Sequence, residues 1–199
     1  MTKPNIIKVV LLGTSGVGKS SLLYRYVTNG WDENIQTTLG AAFMDKQIQY
    51  KGRTLKFQIW DTAGQEKYAP LAQMYYRDAD VAILVYDVTN KESFNNLKNW
   101  FIELSEKGPK DVILAVVGNK ADLRDDERVS IDDAKAFAHD CKALYARTSA
   151  KENIGVTEMF NSICEELIKR RHIIEDELDP TRTRIRNNHK SRNKEGGCC

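Results

Sequence analysis

Short apolar runs rich in β-formers alternate along the chain with longer stretches of helical spacing. Ile6–Leu12 predicts a first strand and Lys19–Thr28 a first helix. Residues 29–42 have no clean period and predict a loop. Phe43–Tyr50 and Thr54–Asp61 read as two strands joined at Lys51-Gly52, a hairpin turn that sets one strand antiparallel to the rest. Residues 62–70 predict a loop, followed by a short helix through Tyr75. Val81–Tyr86 and Val112–Val117 are continuous apolar runs of the kind buried on both faces of a sheet. Between them Glu92–Lys107 repeats apolar residues at Phe94, Leu97, Phe101 and Leu104, one stripe of a single helix. Ser130 before Ile131-Asp132-Asp133 predicts a capped helix start, with the helix running to about Lys142. Ala143–Arg147 is the last strand and Val156–Arg171 the last helix. The chain has no internal repeat.

This alternation predicts an α/β fold. Right-handed crossovers give a six-stranded, mostly parallel sheet with one antiparallel strand and helices on both faces. Ligands on such a sheet bind beyond the carboxyl ends of its strands. The polar motifs worth weighing all fall at such ends.

The first is Gly13-Thr14-Ser15-Gly16-Val17-Gly18-Lys19-Ser20, which reads G-x-x-x-x-G-K-S between a strand and a helix. Glycines let the backbone curl so that N–H groups of Ser15, Gly16, Val17, Gly18, Lys19, Ser20 and Ser21 face one anion. The helix start adds its unpaired N–H groups. Lys19 supplies a point charge for outer phosphates, and the Ser20 hydroxyl can ligate Mg²⁺. A glycine-rich turn without a ligand is the competing reading, and the Lys-Ser pair with both flanks weighs against it. The loop implies a nucleoside triphosphate without choosing the base.

Residues 59–66, I-W-D-T-A-G-Q-E, form the second site. Asp61 at a strand end can hold Mg²⁺, directly or through water. Gly64 lets the backbone approach a γ-phosphate. Gln65 can accept from an attacking water and donate to developing charge. Thr37 and Thr38 lie in the early loop, and one of these hydroxyls can complete the metal shell. The third motif, Asn119-Lys120-Ala121-Asp122, follows a buried strand. A fixed Asp122 carboxylate accepts from two donors on one ring edge, and guanine offers such a pair where adenine does not. Asn119 can donate to the ring N7 and tie loops together, while the Lys120 stem can lie across the base. Ser149-Ala150-Lys151 can offer a backbone N–H to guanine O6, and Trp31 can cover the base edge. His139, His172 and His189 have no partner at a recognisable spacing and are not general bases.

Composition limits the partners. The 199 residues carry a net charge of +2. Arg182, Arg184, Arg186, Lys190, Arg192 and Lys194 crowd the end of the chain against Asp179 and Glu195, so the body is slightly acidic. That excludes a nucleic-acid-binding body. Residues 1–178 are expected to form one domain, and 179–199 a disordered basic tail. Cys141 and Cys164 lie singly in helical patterns and read as buried structural thiols. Cys198 and Cys199 end the chain, and no spacing suggests a disulfide framework or a zinc site. No signal peptide and no spanning run of about 20 apolar residues is visible, which places the chain in the reducing cytosol.

Together these motifs, with S-A-K at 149–151, resemble a small GTPase of the Ras superfamily over about residues 6–171. The run Trp60–Tyr68, Tyr75-Tyr76-Arg77 and the terminal Cys-Cys are similar to the Rab branch. Leu39-Gly40-Ala41-Ala42-Phe43 and the segment from Leu71-Ala72 to Met74-Tyr75-Tyr76 resemble the Rabs of early endosomes. The resemblance implies a P-loop NTPase fold that binds GTP and GDP and slowly hydrolyses GTP as a switch. It implies metal ligation by Ser20 and Thr38, with Asp61 acting through water. It implies a catalytic set of Lys19, Gly64 and Gln65, and Trp31 as the aromatic flanking guanine. Phe43, Trp60 and Tyr75 match the aromatic triad that Rab effectors read. Residues 29–42 and 62–76 become the two switches. Cys198 and Cys199 become prenylation sites that anchor a monomeric G domain to the cytosolic face of an intracellular, endosomal membrane for vesicle trafficking. Partners implied are an exchange factor, a GTPase-activating protein (GAP), a GDP-dissociation inhibitor, a prenylation escort and effectors. Two departures stand out: Ser15 where the Ras branch carries glycine, and Trp31 where the family often has phenylalanine.

Two other classes compete. A nucleotide-binding interaction module with little hydrolysis is opposed by the intact Thr38 and Gln65. An ATP-dependent kinase or ATPase is opposed by Asn119 and Asp122, and by the lack of a substrate lid or second domain.

Overall fold

The structure is a computed structural model and describes residues 5–64 and 69–178. Six strands form one sheet: β1 (Asn5–Leu12), β2 (Ala41–Tyr50), β3 (Arg53–Thr62), β4 (Val81–Asp87), β5 (Ile113–Asn119) and β6 (Leu144–Arg147). Their order is β2-β3-β1-β4-β5-β6. Only β2 runs antiparallel, paired with β3. Lys51 and Gly52 make that turn with φ of 46° and 76°, the two positive values that a tight hairpin needs to match strand twist. β1 lies between β3 and β4, with Val10 opposite both Trp60 and Ala82.

The described α-helices are α1 (Lys19–Thr28), α2 (Ala69–Tyr76), α3 (Lys91–Asn95), α4 (Leu97–Lys107), α5 (Ile131–Asp140) and α6 (Val156–Leu178). The pleat divides β1 between two cores. Val10 and Leu12 join Leu84, Tyr86, Leu97 and Leu104 in one apolar cluster. On the other side Tyr26 of α1 stacks on Phe160 of α6 at 3.5 Å, with Phe57 of β3 edge-on to both. Every residue of β4 is buried. Each fully buried Val, Leu or Ile contributes on the order of 1.5–3 kcal/mol, so this middle strand holds the layers together.

The chain divides at Ile163–Cys164, within α6. The larger unit contains all six strands. In the second, the described chain continues the helix, with Arg170 Nε donating to Glu166 at 2.9 Å.

Three boundaries depart from the pattern. The single helix expected over 92–107 is two, meeting at Asn96. There the N–H is shared between the carbonyls of Glu92 and Phe94, and asparagine favours helix ends over interiors. The apolar stripe survives the break, because Leu97 and Leu104 stay buried. α5 starts as expected, with the Ser130 side chain accepting from the Asp133 N–H, but ends at Asp140. Lys142 has turned left-handed, with φ 53°. The last helix runs on to Leu178, beyond the expected Arg171. No described helix is long and apolar enough to cross a membrane.

Candidate functional site

Because β1, β3, β4, β5 and β6 are parallel, their carboxyl ends share one edge of the sheet. The loops at residues 13–18, 61–64, 119–122 and 149–151 each lie at one of these ends. β1 leads into the loop at Gly13–Gly18, and Gly18 caps α1 without any side-chain cap bond. The first N–H groups of that helix are therefore left for a ligand. Gly18 has φ 92°, and a Cβ there would lie 2.4 Å from Asn119 Nδ2, so both backbone and space demand glycine. Lys19 is buried and curls back over the loop. Its Nζ donates to the carbonyls of Gly13 at 2.8 Å and Thr14 at 3.1 Å. Burial pulls its pKa down to about 8, against the upward pull of Asp61.

Next to Lys19, three oxygens meet. Ser20 Oγ donates to Asp61 Oδ2 at 2.6 Å, and Thr38 Oγ1 donates to the same oxygen at 2.9 Å. The two hydroxyls are 2.8 Å apart. This arrangement selects Thr38 over Thr37. Desolvation raises the Asp61 pKa, and the two hydroxyl bonds and the Lys19 charge counter it. Among the described residues Asp61 Oδ1 is buried with no hydrogen-bond partner. Among the described residues no three of His, Cys, Asp and Glu gather as a metal site. The donor set here is instead two hydroxyls and a carboxylate with a spare buried oxygen, hard ligands that fit Mg²⁺. Ser20, Thr38 and Lys19 line a cavity of about 190 Å³, together with Ser15, Gly16, Ser21 and Gly64. Gly64 closes the far side. Its carbonyl accepts from Ser15 N–H at 3.0 Å, and a Cβ there would lie 2.3 Å from that same nitrogen.

The opposite end of the site is organised by Asn119, which is 1% exposed. Its Nδ2 donates to the Val17 carbonyl at 2.9 Å. Its Oδ1 accepts from Thr148 Oγ1 at 3.1 Å and from Ala150 N–H at 3.3 Å. One side chain thus joins the phosphate loop, the N-K-A-D turn and the S-A-K loop. Asp122 Oδ1 accepts from Ser149 Oγ at 2.5 Å. Lys120 has a left-handed backbone, φ 65°, and its Nζ pairs with Asp87 Oδ2 at 2.6 Å. Trp31 stands just past the α1 cap at Asn29 and is 37% exposed.

Comparison with known proteins agrees with this geometry. Residues 8–169 match the model of the Ras family. The chain belongs to the Ras family. Among its relatives, Ras-related protein Rab-22A of Mus musculus is 49% identical over 157 residues, covering 79% of this chain and 81% of the relative. The Homo sapiens protein of that name matches to the same extent. Ras-related protein Rab-31 of Rattus norvegicus is 47% identical over 161 residues, 81% of this chain and 83% of the relative. The chain is therefore a Rab-like small GTPase of vesicle trafficking.

Elsewhere on the GTPase, Phe43, Trp60 and Tyr75 form a continuous aromatic row, with ring centroids 5.0 and 5.2 Å apart. Leu39 and Met74, both largely exposed, belong to the same two segments that flank this row. Lys151 is exposed, and Ala150 is buried. Gln65, Cys198 and Cys199 lie outside the described residues. The motifs did not point to Asp87, Thr148 or Arg25. Asp87 ends a buried strand just as Asp61 does, so its signal was present in the sequence. Thr148 and Arg25 act on partners far along the chain, and nothing local marks them.

Proposed function

We propose that this GTPase is a Mg²⁺-dependent GTP switch carried on the cytosolic face of an endosomal membrane. The observation that carries the proposal is the convergence of Ser20 and Thr38 on Asp61, beside Lys19 and Gly64. Ser20 and Thr38 would hold Mg²⁺ directly and Asp61 through water, and the bound ion would offset the charge of the outer phosphates. Backbone N–H groups from Gly16 to Ser21 cradle the phosphates, the Ser15 N–H being taken by the Gly64 carbonyl, and Lys19 adds its charge. Gly64 offers its N–H to the γ-phosphate, and Gln65 orients the attacking water. At the other end Asp122 reads the N1–H and amino group of guanine. Asn119, Lys120, the loop Ser149-Ala150-Lys151 and Trp31 complete that base pocket.

Thr38 and Gly64 sit on separate segments that the γ-phosphate engages together, so its loss releases both. Effectors read Phe43, Trp60 and Tyr75 in the engaged form. Intrinsic turnover is slow, and a GAP adding groups in trans accelerates such chemistry by ~10³–10⁵. An exchange factor reloads the site, while a GDP-dissociation inhibitor and a prenylation escort handle the lipidated tail. Cys198 and Cys199 carry two prenyl chains, since a single chain anchors only marginally. The basic residues of the tail add ~1 kcal/mol each at an anionic leaflet. The endosomal address rests on the segments Leu39–Phe43 and Leu71–Tyr76.

Ser20→Asn tests the metal assignment. The variant is expected to bind GTP more weakly in Mg²⁺ buffer and to favour the GDP-bound or empty state. Unchanged GTP affinity would overturn the assignment.

A further inference from the structure

The guanidinium of Arg25 lies beyond every motif discussed above, yet it grips the frame of the base pocket. Its Nε donates to the Ala150 carbonyl at 2.7 Å, and its Nη2 to the Lys151 carbonyl at 2.8 Å. Its Nη1 donates to the Asn29 carbonyl at 2.8 Å. Ala150 and Lys151 belong to the loop assigned above to guanine O6. Asn29 is the left-handed cap of α1, φ 60°, two residues before Trp31. A further bond, Asn153 Nδ2 to Asn29 Oδ1 at 3.0 Å, joins the same two walls.

We propose that Arg25 is a positioning residue for guanine recognition, setting the S-A-K loop and the Trp31 segment against each other. The proposal rests on the guanine-pocket reading above. Among the described residues there are no cis peptide bonds, and in a trans peptide the C=O and N–H point in opposite directions. Holding the Ala150 carbonyl toward α1 therefore turns the Lys151 N–H away from it. Holding the Lys151 carbonyl does the same for the Glu152 N–H, which donates to Ser149 Oγ at 2.9 Å. Arg25 thereby fixes which way the Lys151 and Glu152 N–H groups face, while the Ala150 N–H is held by Asn119. Only a planar fork with donors at fixed angles serves three carbonyls at once. A lysine ammonium is a single point on a flexible stem. Arg25 is half-buried on an exposed helix flank, so replacing it leaves the core of α1 intact.

The test is competition against a fluorescent GDP analogue, using GDP, IDP and the diphosphate of 2,6-diaminopurine riboside. IDP keeps O6 and lacks the amino group read by Asp122. The diaminopurine nucleotide keeps the 2-amino group, carries an amino group in place of O6 and has no N1–H, so its affinity is compared only between wild type and variant. For Arg25→Met, GDP and IDP should both weaken by about ten- to hundredfold, the scale on which supporting hydrogen bonds act through a contacting group. The diaminopurine nucleotide should change little, so the GDP-to-diaminopurine ratio falls while the GDP-to-IDP ratio holds. Arg25→Lys should behave like Arg25→Met. Equal weakening of all three nucleotides would reduce Arg25 to a general structural role and overturn the proposal, as would full retention by Arg25→Lys. Asp122→Asn in the same assay separates the two readings. If it redirects the base preference while Arg25→Met leaves every ratio unchanged, the Arg25 proposal fails and the pocket stands. If Asp122→Asn keeps the preference for guanine, the pocket reading itself fails.

Discussion

Asp122→Asn is the substitution whose outcome the structure constrains most tightly. Ser149 Oγ accepts from Glu152 N–H at 2.9 Å and donates its own proton to Asp122 Oδ1 at 2.5 Å. The hydroxyl thus spends its one proton on residue 122. An asparagine there keeps that bond by turning its carbonyl oxygen to Ser149, which places its NH₂ where Oδ2 stood. Against guanine this sets a donor against the exocyclic amino group. The lost bond to a charged acceptor costs about 1.5–3 kcal/mol, and the donor left unpaired costs about 1–3 kcal/mol. Allowing for overlap, roughly 3–5 kcal/mol corresponds to about 10²–10⁴ in affinity. Xanthine carries a carbonyl in place of that amino group, so the same NH₂ now finds an acceptor. The expected result is weakened GTP binding and gained XTP binding, read by competition of GTP, XTP and ATP for wild type and variant. Adding Ser149→Ala frees the amide to flip and should erode the xanthine preference by about fivefold, near 1 kcal/mol. A variant that kept its GTP preference would refute the role of Asp122. An XTP preference indifferent to Ser149 would refute the orienting argument alone.

Three further outcomes follow from the site and its surroundings. Gly64→Ala puts a Cβ 2.3 Å from Ser15 N and 2.4 Å from Thr14 C, backbone that cannot give way. GDP binding should survive while GAP-stimulated hydrolysis falls by about 10²-fold, the scale for losing one transition-state donor; a rate within threefold of wild type in stopped flow would refute this. Changing Cys198 and Cys199 together to Ser should release the protein from membranes with nucleotide binding intact, whereas a single change weakens attachment less. Membrane association persisting at high salt would place the anchor elsewhere. Burial pushes the Cys141 and Cys164 thiols up to about 11, and a raised thiol pKa means less of the reactive thiolate at every pH below it. Between pH 7 and 9 both should resist a disulfide reagent in the native protein and react on unfolding, and fast native labelling of either would refute the burial argument.

How far the sequence could be read depended on whether each signal was local. β4 was legible because a strand covered on both faces must be apolar throughout. The turn at Lys51-Gly52 was legible because Gly52, which tolerates a positive φ, stands between two strand-like runs, and the start of α5 because Ser130 carries its own cap. The break at Asn96 was hidden, since the apolar stripe continues through it with an unbroken period. The phosphate loop and Asp61 could be placed because strand, loop and helix adjoin in sequence. The choice between Thr37 and Thr38 could not be made, because it depends on where an aperiodic loop lies in space. Arg25 was the least visible. On α1 it reads as an ordinary solvent-facing cation, and its carbonyl partners lie 125 and 126 residues further on.

The distribution of hydrogen bonds across the site also explains how a change at one phosphate can move part of the protein and leave the rest in place. On the base side Asn119, itself in the N-K-A-D turn, uses its carbonyl and amide on two further loops while nearly inaccessible to solvent. Breaking that hub strands several buried polar groups at once, each at about 1–3 kcal/mol. The phosphate loop and the base-reading loops therefore move as one body. Thr38 and Gly64 are tethered differently. Among the described residues Thr38 reaches the site through its bond to Asp61 and its contact with Ser20. Gly64 reaches the phosphate loop through its carbonyl on Ser15. A third bond, Ala63 N–H to the Gly40 carbonyl at 2.8 Å, ties the two segments to each other. Net contributions of about 0.5–1.5 kcal/mol per bond leave this side within reach of what one phosphate group can add or remove. On the proposed reading, the frame assigned to guanine is thus the stiff part of the site, the part suited to keeping a nucleotide bound while the other side moves. The segments beside the γ-phosphate are held loosely enough for its loss to release them, and the bond between Gly40 and Ala63 makes that release a joint one.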